Sequence, residues 1–185
     1  MKEVIHIKNM VCNRCIASVL TILNAENYIV ESVELGKVVA TKGKNSNIEN
    51  LNRALAKVGF EIIKNEADTL VELIKVKLIH KIELGETEDL FKILAEDIGK
   101  TETALSKLFS RHEGVTLEKY TISLKMEKVK ELIQLGQLNF SEIAYSLNYK
   151  NSSHLAKQFK SSTGMSMSDY KSLQDWDRKS LDQIV

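Results

Sequence analysis

The hydrophobic positions along the chain settle into a single helical period near residue 66. Before that point the pattern is mixed. Glu3–Ile7 alternates as a strand does, and Ile16, Val19, Leu20 and Leu23 then recur at the three-and-four spacing of a helix. Ile29–Leu35 and Lys37–Thr41 are rich in β-branched residues and interrupted by Gly36, a pattern that predicts a hairpin with a tight turn. Ile48, Leu51, Leu55 and Val58 share one face of a second helix, Gly59 stops it, and Phe60–Ile63 makes a short last strand. The predicted order is βαββαβ. From Asp68, a cap candidate, the period is helical throughout, beginning with Leu70, Ile74, Leu78 and Ile82 on a helix that ends near Gly85.

The helical half contains two similar hairpins, Asp89–His112 and Phe140–Thr163. In the first, Leu90, Phe91, Leu94, Ala95 and Ile98 form an apolar stripe, Gly99 permits a turn, and Leu105, Leu108 and Phe109 line the helix that starts at Thr101. In the second, Phe140, Ile143, Ala144 and Leu147 precede a turn at Asn148–Lys150, and Leu155 and Phe159 follow on a helix capped by Asn151 or Ser152. Each closes with a glycine, Gly114 or Gly164, a polar cap and a new helix. Between them Thr116–Leu135 carries Ile122, Met126, Val129 and Ile133 on one face and Leu117, Tyr120 and Leu124 on another, enough to pack on both sides. About twenty helical residues at ~1.5 Å each span roughly 30 Å, close to one turn of B-DNA, so a helix at each end can enter successive major-groove segments.

Composition narrows this picture only slightly. The 185 residues, 43% hydrophobic and 28% charged, suit one ordinary domain or two small ones. A net charge of +1 means that affinity for a polyanion must come from local basic patches. The first eight residues lack the apolar stretch of a signal peptide, and no run reaches membrane-spanning length. Two cysteines three apart point to site chemistry in a reducing compartment, so a cytoplasmic protein is expected. No Ser/His/Asp grouping, phosphate-cradling Gly loop or paired-carboxylate motif stands out and the four histidines are scattered, so no enzyme activity is expected.

Over about residues 70–171 the chain resembles the DNA-binding domain of the AraC/XylS family of bacterial transcription regulators. The segments "LAEDIGKTETALSKLF", "HEGVTLEKY", "LKMEKVKELI" and "FSEIAYSLNYKNSSHLAKQFKSSTGMSMSDYK" follow the family pattern in order and spacing. Asn148-Tyr149 stands where the family has Gly-Phe, Lys125 where it has arginine, and Met167 where it has proline. The resemblance implies double-stranded DNA as the partner. It implies base contacts from Glu102, Thr103, Ser106 and Lys107 in the first hairpin and from Ser152, Ser153, Ala156 and Lys157 in the second. Lysine donates to guanine edges, serine and threonine pair with several bases, and Glu102 either accepts from cytosine or repels phosphate. Lys100, Arg111, Lys150, Lys160 and Ser161 are placed to hold the phosphate backbone, each lysine weighed against being a solvated surface charge. The family usually activates transcription by contacting RNA polymerase; these residues do not separate activator from repressor.

The other chemical signal is Met10-Val11-Cys12-Asn13-Arg14-Cys15, between the first strand and the first helix. Two thiols at this spacing can converge on one soft metal ion, and a helix N-terminus beginning near Cys15 should lower thiol pKa. Two thiolates suit Cu(I) best; tetrahedral zinc needs two further ligands, which the histidines do not supply locally. A redox pair is the competing chemistry. Residues 1–66 resemble a heavy-metal-associated domain, the ferredoxin-like module of copper chaperones and metal-transport ATPases, in Met10 before Cys12-x-x-Cys15, in "VESVELGKVVAT" and in "LAKVGFEI". Asn9 replaces that family's usual glycine, and Val11 its small polar residue. The resemblance implies Cys12 and Cys15 as ligands of Cu(I) or another thiophilic metal, with Met10 and Phe60 supporting the loop from the core.

The expected protein is therefore α+β: a βαββαβ ferredoxin-like domain over residues 1–66, then an all-α domain over 67–185 with two helix-turn-helix motifs joined by a long helix. Its expected function is sequence-specific regulation of transcription, with the dithiol loop as candidate sensor. The alternatives are a copper chaperone-like metal-handling protein, or a regulator whose N-terminal domain only supports structure, protein interaction or dimerisation.

Overall fold

The computed structural model describes residues 2–173, 177–179 and 184. The chain divides into two compact units, Met1–Val76 and Lys77–Val185.

In the first unit, strands β1 (Lys2–Lys8), β2 (Tyr28–Glu34), β3 (Lys37–Lys42) and β4 (Glu61–Ile63) form one antiparallel sheet in the order β2-β3-β1-β4. Helices α1 (Asn13–Ala25) and α2 (Ile48–Ala56) complete the βαββαβ sequence. Period-two alternation sends Ile5 and Ile7 of β1 and Val38 and Ala40 of β3 to one face of the sheet. There they meet Val19 and Leu23 of α1, Leu51 and Leu55 of α2, and Tyr28, Met10 and Phe60. Asn47 caps α2 by accepting from the backbone N–H groups of Glu49 and Asn50. The helix closes with Phe60 N–H donating to the Leu55 carbonyl at 3.1 Å across Gly59. Glu34 faces Lys37 across the Leu35-Gly36 turn, and β2 carries an irregularity between Val30 and Ser32.

Three residues expected on apolar helix faces are solvent-facing instead. Leu20 lies off the stripe that Cys15, Ile16, Val19, Ile22 and Leu23 turn to the core. Ile48 starts α2 and Val58 follows its end, so both are exposed at the margins of a helix that buries only Leu51 and Leu55. Helix α3 (Glu66–Glu83) begins two residues before the expected Asp68. Its first turn is capped by Asn65, whose side-chain oxygen accepts from Asp68 N–H at 2.8 Å, so Asp68 receives the cap rather than forming it. The early part of α3 borders a groove with Val4, His6 and Lys37 through Thr69, Glu72 and Leu73. Since Val4 and His6 alternate with the core-facing Ile5 and Ile7, this groove lies on the sheet face opposite the core.

The second unit consists of the end of α3 and helices α4 (Leu90–Ile98), α5 (Glu102–Glu113), α6 (Leu117–Leu135), α7 (Phe140–Ser146), α8 (Ser152–Thr163) and α9 (Met167–Lys171). Helix α6 is its axis and touches α5, α7, α8 and α9. It buries Leu117, Tyr120, Leu124, Met126, Val129 and Ile133, together with the ion pair of Glu127 and Lys130 at 2.7 Å. The second carboxylate oxygen of Glu127 accepts from Lys179 N–H at 3.0 Å. A buried carboxylate is tolerable only when paired and hydrogen-bonded in this way.

Candidate nucleic-acid interface and dithiol loop

The two helical hairpins are copies of one design, offset by 49 residues before the turn and by 50 after it. Ala95 and Ala144 are buried on the first helices. Gly99 and Asn148 occupy the left-handed region with φ of 72° and 57°. The N–H of the following residue returns to the alanine carbonyl in both: Lys100 to Ala95 at 3.0 Å and Tyr149 to Ala144 at 2.8 Å. Asparagine is among the few side-chain-bearing residues that visit this region routinely, which is why Asn148 can replace a glycine. The second turn then contains one extra residue, Lys150. Beyond it Thr101 and Asn151 cap α5 and α8 by accepting from Ala104 N–H and His154 N–H. Leu105 and Phe109 match Leu155 and Phe159, all fully buried. Phe109 packs on Tyr120 with centroids 5.0 Å apart, and Phe159 on Tyr170 at 5.6 Å.

These caps and anchors fix which face of α5 and α8 remains open. On α5, Glu102, Thr103, Ser106, Lys107 and Arg111 are all exposed, opposite Leu105 and Phe109. On α8, Ser153, Ala156, Lys157, Lys160 and Ser161 are exposed, and Ser152, the first helical residue, is half-buried. Lys100 and Lys150 are exposed in the two turns. Each hairpin thus presents a polar helix face with cations before and along it, the chemistry required for phosphate positioning and base-edge contact. His154 is exposed, its ring edge-on to Tyr149 with centroids 5.9 Å apart.

The sequence reading did not bring together Lys125, Tyr149 and Gln158. Lys125 of α6 donates from Nζ to the Leu147 carbonyl at 3.1 Å and lies 5.5 Å from the Tyr149 ring centroid. Tyr149 Oη donates to Gln158 Oε1 at 2.5 Å. Burial lowers the Lys125 pKa and raises that of Tyr149 to about 12. No local pattern links positions 125, 149 and 158; the helical packing makes the connection.

In the first unit Cys12 is the N-cap of α1, so the helix starts ahead of the expected position near Cys15. The two sulfurs are 3.5 Å apart and both residues are half-buried. Burial acts upward on the Cys12 thiol, but hydrogen bonds from Cys15 and Arg14 outweigh it and bring its pKa below the ordinary thiol value. At Cys15 burial and the neighbouring Cys12 prevail, and the pKa rises. The helix terminus therefore favours one thiolate, at Cys12. Asn9 takes φ 71°, the conformation for which glycine is otherwise used, and ties down the loop base. Its Nδ2 donates to the Gly59 carbonyl at 2.9 Å and its backbone N–H to Glu72 Oε1 at 2.7 Å. Met10 is fully buried beneath the loop and Phe60 nearly so.

Two adjacent thiols are a donor set for a soft monovalent ion such as Cu(I). Among the described residues no group of three or more His, Cys, Asp and Glu side chains is arranged to hold a metal, so a closed tetrahedral zinc site is not formed by this chain's described residues alone. No helix among the described residues is long and apolar enough to cross a membrane.

Residues 94–172 match the family model of a helix-turn-helix domain. Among solved structures, the chain is similar to the C-terminal domain of AraT, a response regulator from Geobacillus stearothermophilus, at 20% identity, with 58% of this chain and 87% of that one covered and a TM-score of 0.51. It is also similar to a DNA-binding transcriptional dual regulator from Escherichia coli K-12, at 17% identity, 55% and 88% coverage and a TM-score of 0.47. A third similar structure is the DNA-binding domain of AdpA, a global transcriptional factor in complex with a target DNA, at 20% identity, 55% and 88% coverage and a TM-score of 0.47. No curated protein sequence matches the chain. At this identity the AraT likeness shows the fold alone, and the family match covers residues 94–172, less than half of the chain.

Proposed function

We propose that the chain is a sequence-specific, DNA-binding regulator of transcription of the AraC type, with a thiophilic-metal-responsive N-terminal unit. The observation that carries the DNA reading is the duplicated hairpin, capped and buried alike in its two copies, with a polar, cation-bearing face left open on α5 and on α8. The 19 residues of α6 span roughly 28 Å, near the ~34 Å of one helical turn of DNA, so one chain offers two recognition helices to successive major-groove segments. Lys100, Arg111, Lys150 and Lys160 hold phosphates and set register, with Ser161 beside them. Glu102, Thr103, Ser106 and Lys107, and in the second copy Ser152, Ser153, Ala156 and Lys157, meet base edges. RNA polymerase is the proposed protein partner. Selection of duplexes from a randomised library, followed by binding titrations of a selected site against its scrambled form, tests the reading. A preference of at least ~10³-fold is expected of a specific binder, and equal affinity for both duplexes refutes it.

The N-terminal proposal rests on the βαββαβ topology, the half-buried dithiol and the loop support from Asn9, Met10 and Phe60. Cys12 and Cys15 would hold Cu(I) or another thiophilic ion, which supplies a soft Lewis-acid centre for thiolate donors. This chain's own contribution is to keep the sulfurs adjacent, lower the Cys12 pKa and fix the loop base through Asn9. Metal alters DNA binding only if it binds the DNA-competent and incompetent states with different affinity. A competition titration of the reduced protein with Cu(I), beside the variant Cys12→Ser with Cys15→Ser, tests ligation. DNA titrations with and without Cu(I) test regulation, and equal weak Cu(I) binding by both proteins removes the metal from the proposal.

A further inference from the structure

The second hairpin carries a polar brace for which the first has no counterpart among the described residues. The repeat equates Tyr149 with Lys100, an exposed residue, and Gln158 with Leu108, an apolar one. In the second copy the extra turn residue is accompanied by an inward Tyr149, 7% exposed, with Lys125 on one side and α8 on the other. Lys125 donates to the carbonyl of Leu147, the C-cap of α7, whose carbonyl has no helical partner. Its ammonium also faces the Tyr149 ring, an attraction strengthened where water is excluded. Tyr149 passes the constraint on through its hydroxyl to Gln158, one residue beyond Lys157, while its ring stands against His154, three residues before Lys157. Lys157 and Ala156 are thus bracketed along α8 by two residues that touch the same tyrosine.

We infer that Lys125, Tyr149 and Gln158 are positioning residues that set the rotation of α8, and with it the base preference of only the half-site that α8 reads. The inference rests on the proposed DNA-binding function. The geometry makes such a brace consequential. Rotating a helix by ~10° displaces a side chain ~5 Å from its axis by about 1 Å, whereas donor–acceptor distances in hydrogen bonds vary over only about 0.5 Å. Buried Leu155 and Phe159 retain α8 on the core without the brace, because apolar contacts are non-directional. Removal of the brace therefore loosens aim before it loosens fold.

The test uses the full chain and duplexes selected by it from a randomised library. The half-site of α8 is assigned as the one whose base preference shifts in Lys157→Ala, and that of α5 as the one that shifts in Lys107→Ala. Tyr149→Phe keeps the ring and removes one hydroxyl. It is expected to weaken binding to the selected duplex about 5-fold, the size of one hydrogen bond, and to relax base preference in the α8 half alone. On a duplex with that half scrambled, it should bind as the native chain does. Lys125→Met should give the same pattern and Lys125→Arg should restore most of the affinity, since guanidinium keeps both the donor and the charge. Equal losses on both duplexes, or no loss on either, overturn the brace, as does a failure of Lys125→Arg to restore what Lys125→Met loses. Selection of no preferred sequence by the native chain overturns the DNA-binding reading itself, and the brace with it.

Discussion

The phosphate contacts assigned to the two hairpins can be counted through salt. Lys100 and Arg111 in the first copy and Lys150 and Lys160 in the second are exposed cations before or along α5 and α8. Each neutralised phosphate releases condensed counterions and contributes about −0.9 to the slope of log K against log salt concentration, so four contacts give a slope near −3.6. Raising salt from about 50 to about 200 mM should then weaken binding about 150-fold. The near-neutral net charge sharpens the test, because +1 over the whole chain provides little general attraction to a polyanion. The assay is fluorescence anisotropy on a selected duplex at four or five salt concentrations. Lys150→Ala with Lys160→Ala removes two of the four contacts and should reduce the slope to near −1.8. Because both side chains are solvent-exposed, the melting temperature should hardly move. A native slope shallower than about −1.5, or a steep slope that the double substitution leaves unchanged, refutes the assignment of these cations to phosphates.

Other consequences follow from the packing and the loop. Phe159→Ala, at a fully buried position edge-on to Tyr170, should cost about 3–5 kcal/mol in urea unfolding, and Phe109→Ala a similar amount; a cost below about 1.5 kcal/mol at either would contradict their shared role. Glu127→Gln leaves Lys130 as a buried cation without its carboxylate and should cost about 3 kcal/mol by the same measurement, whereas a loss under about 1 kcal/mol would mean that the pair is dispensable. Gly99→Ala should cost about 1–2 kcal/mol through backbone strain alone, since the added Cβ meets nothing within 4 Å, and Gly99→Asn should cost less because Asn148 already occupies the matching position; equal costs would refute that account. Cys12→Ser with Cys15→Ser should abolish Cu(I) ligation and leave DNA affinity without metal intact, as measured by chelator competition and anisotropy; a metal response that survives would place its origin elsewhere.

The parts of the fold that could be read from sequence are those in which one local rule decides the outcome. Period-two and period-3.6 stripes give the βαββαβ order and helices α3 to α8, because burial of one face is what those elements require. Thr101, Asn151 and Thr116 announce their helices because a side-chain oxygen placed just before an apolar stripe satisfies orphaned N–H groups. Exposure of the base-facing candidates follows from the same periodicity, since positions between buried leucines and phenylalanines must point outward. Errors occur where a stripe outruns its helix: Ile48 and Val58 fit the period of α2, but they lie at its first residue and beyond its end. Asp68 resembles a cap in isolation, yet Asn65 is three residues earlier and takes that role.

What sequence could not supply is the geometry created by elements far apart in the chain. A swap of Gly-Phe for Asn148-Tyr149 reads as one that keeps the hydrophobic ring and adds a hydroxyl. In the fold the asparagine keeps the left-handed turn, and the hydroxyl gains a partner in Gln158. The swap of glycine for Asn9 repeats the lesson in the first unit. It reads as a stiffening of the dithiol loop, but Asn9 retains the positive φ and adds a bond to Gly59, 50 residues away. Both substitutions conserve the backbone conformation that a turn needs and use the new side chain to tether the turn to a distant element. A glycine supplies only the first of these. Where function depends on the aim of a helix or the spacing of two sulfurs, the added tether limits how far the turn can drift.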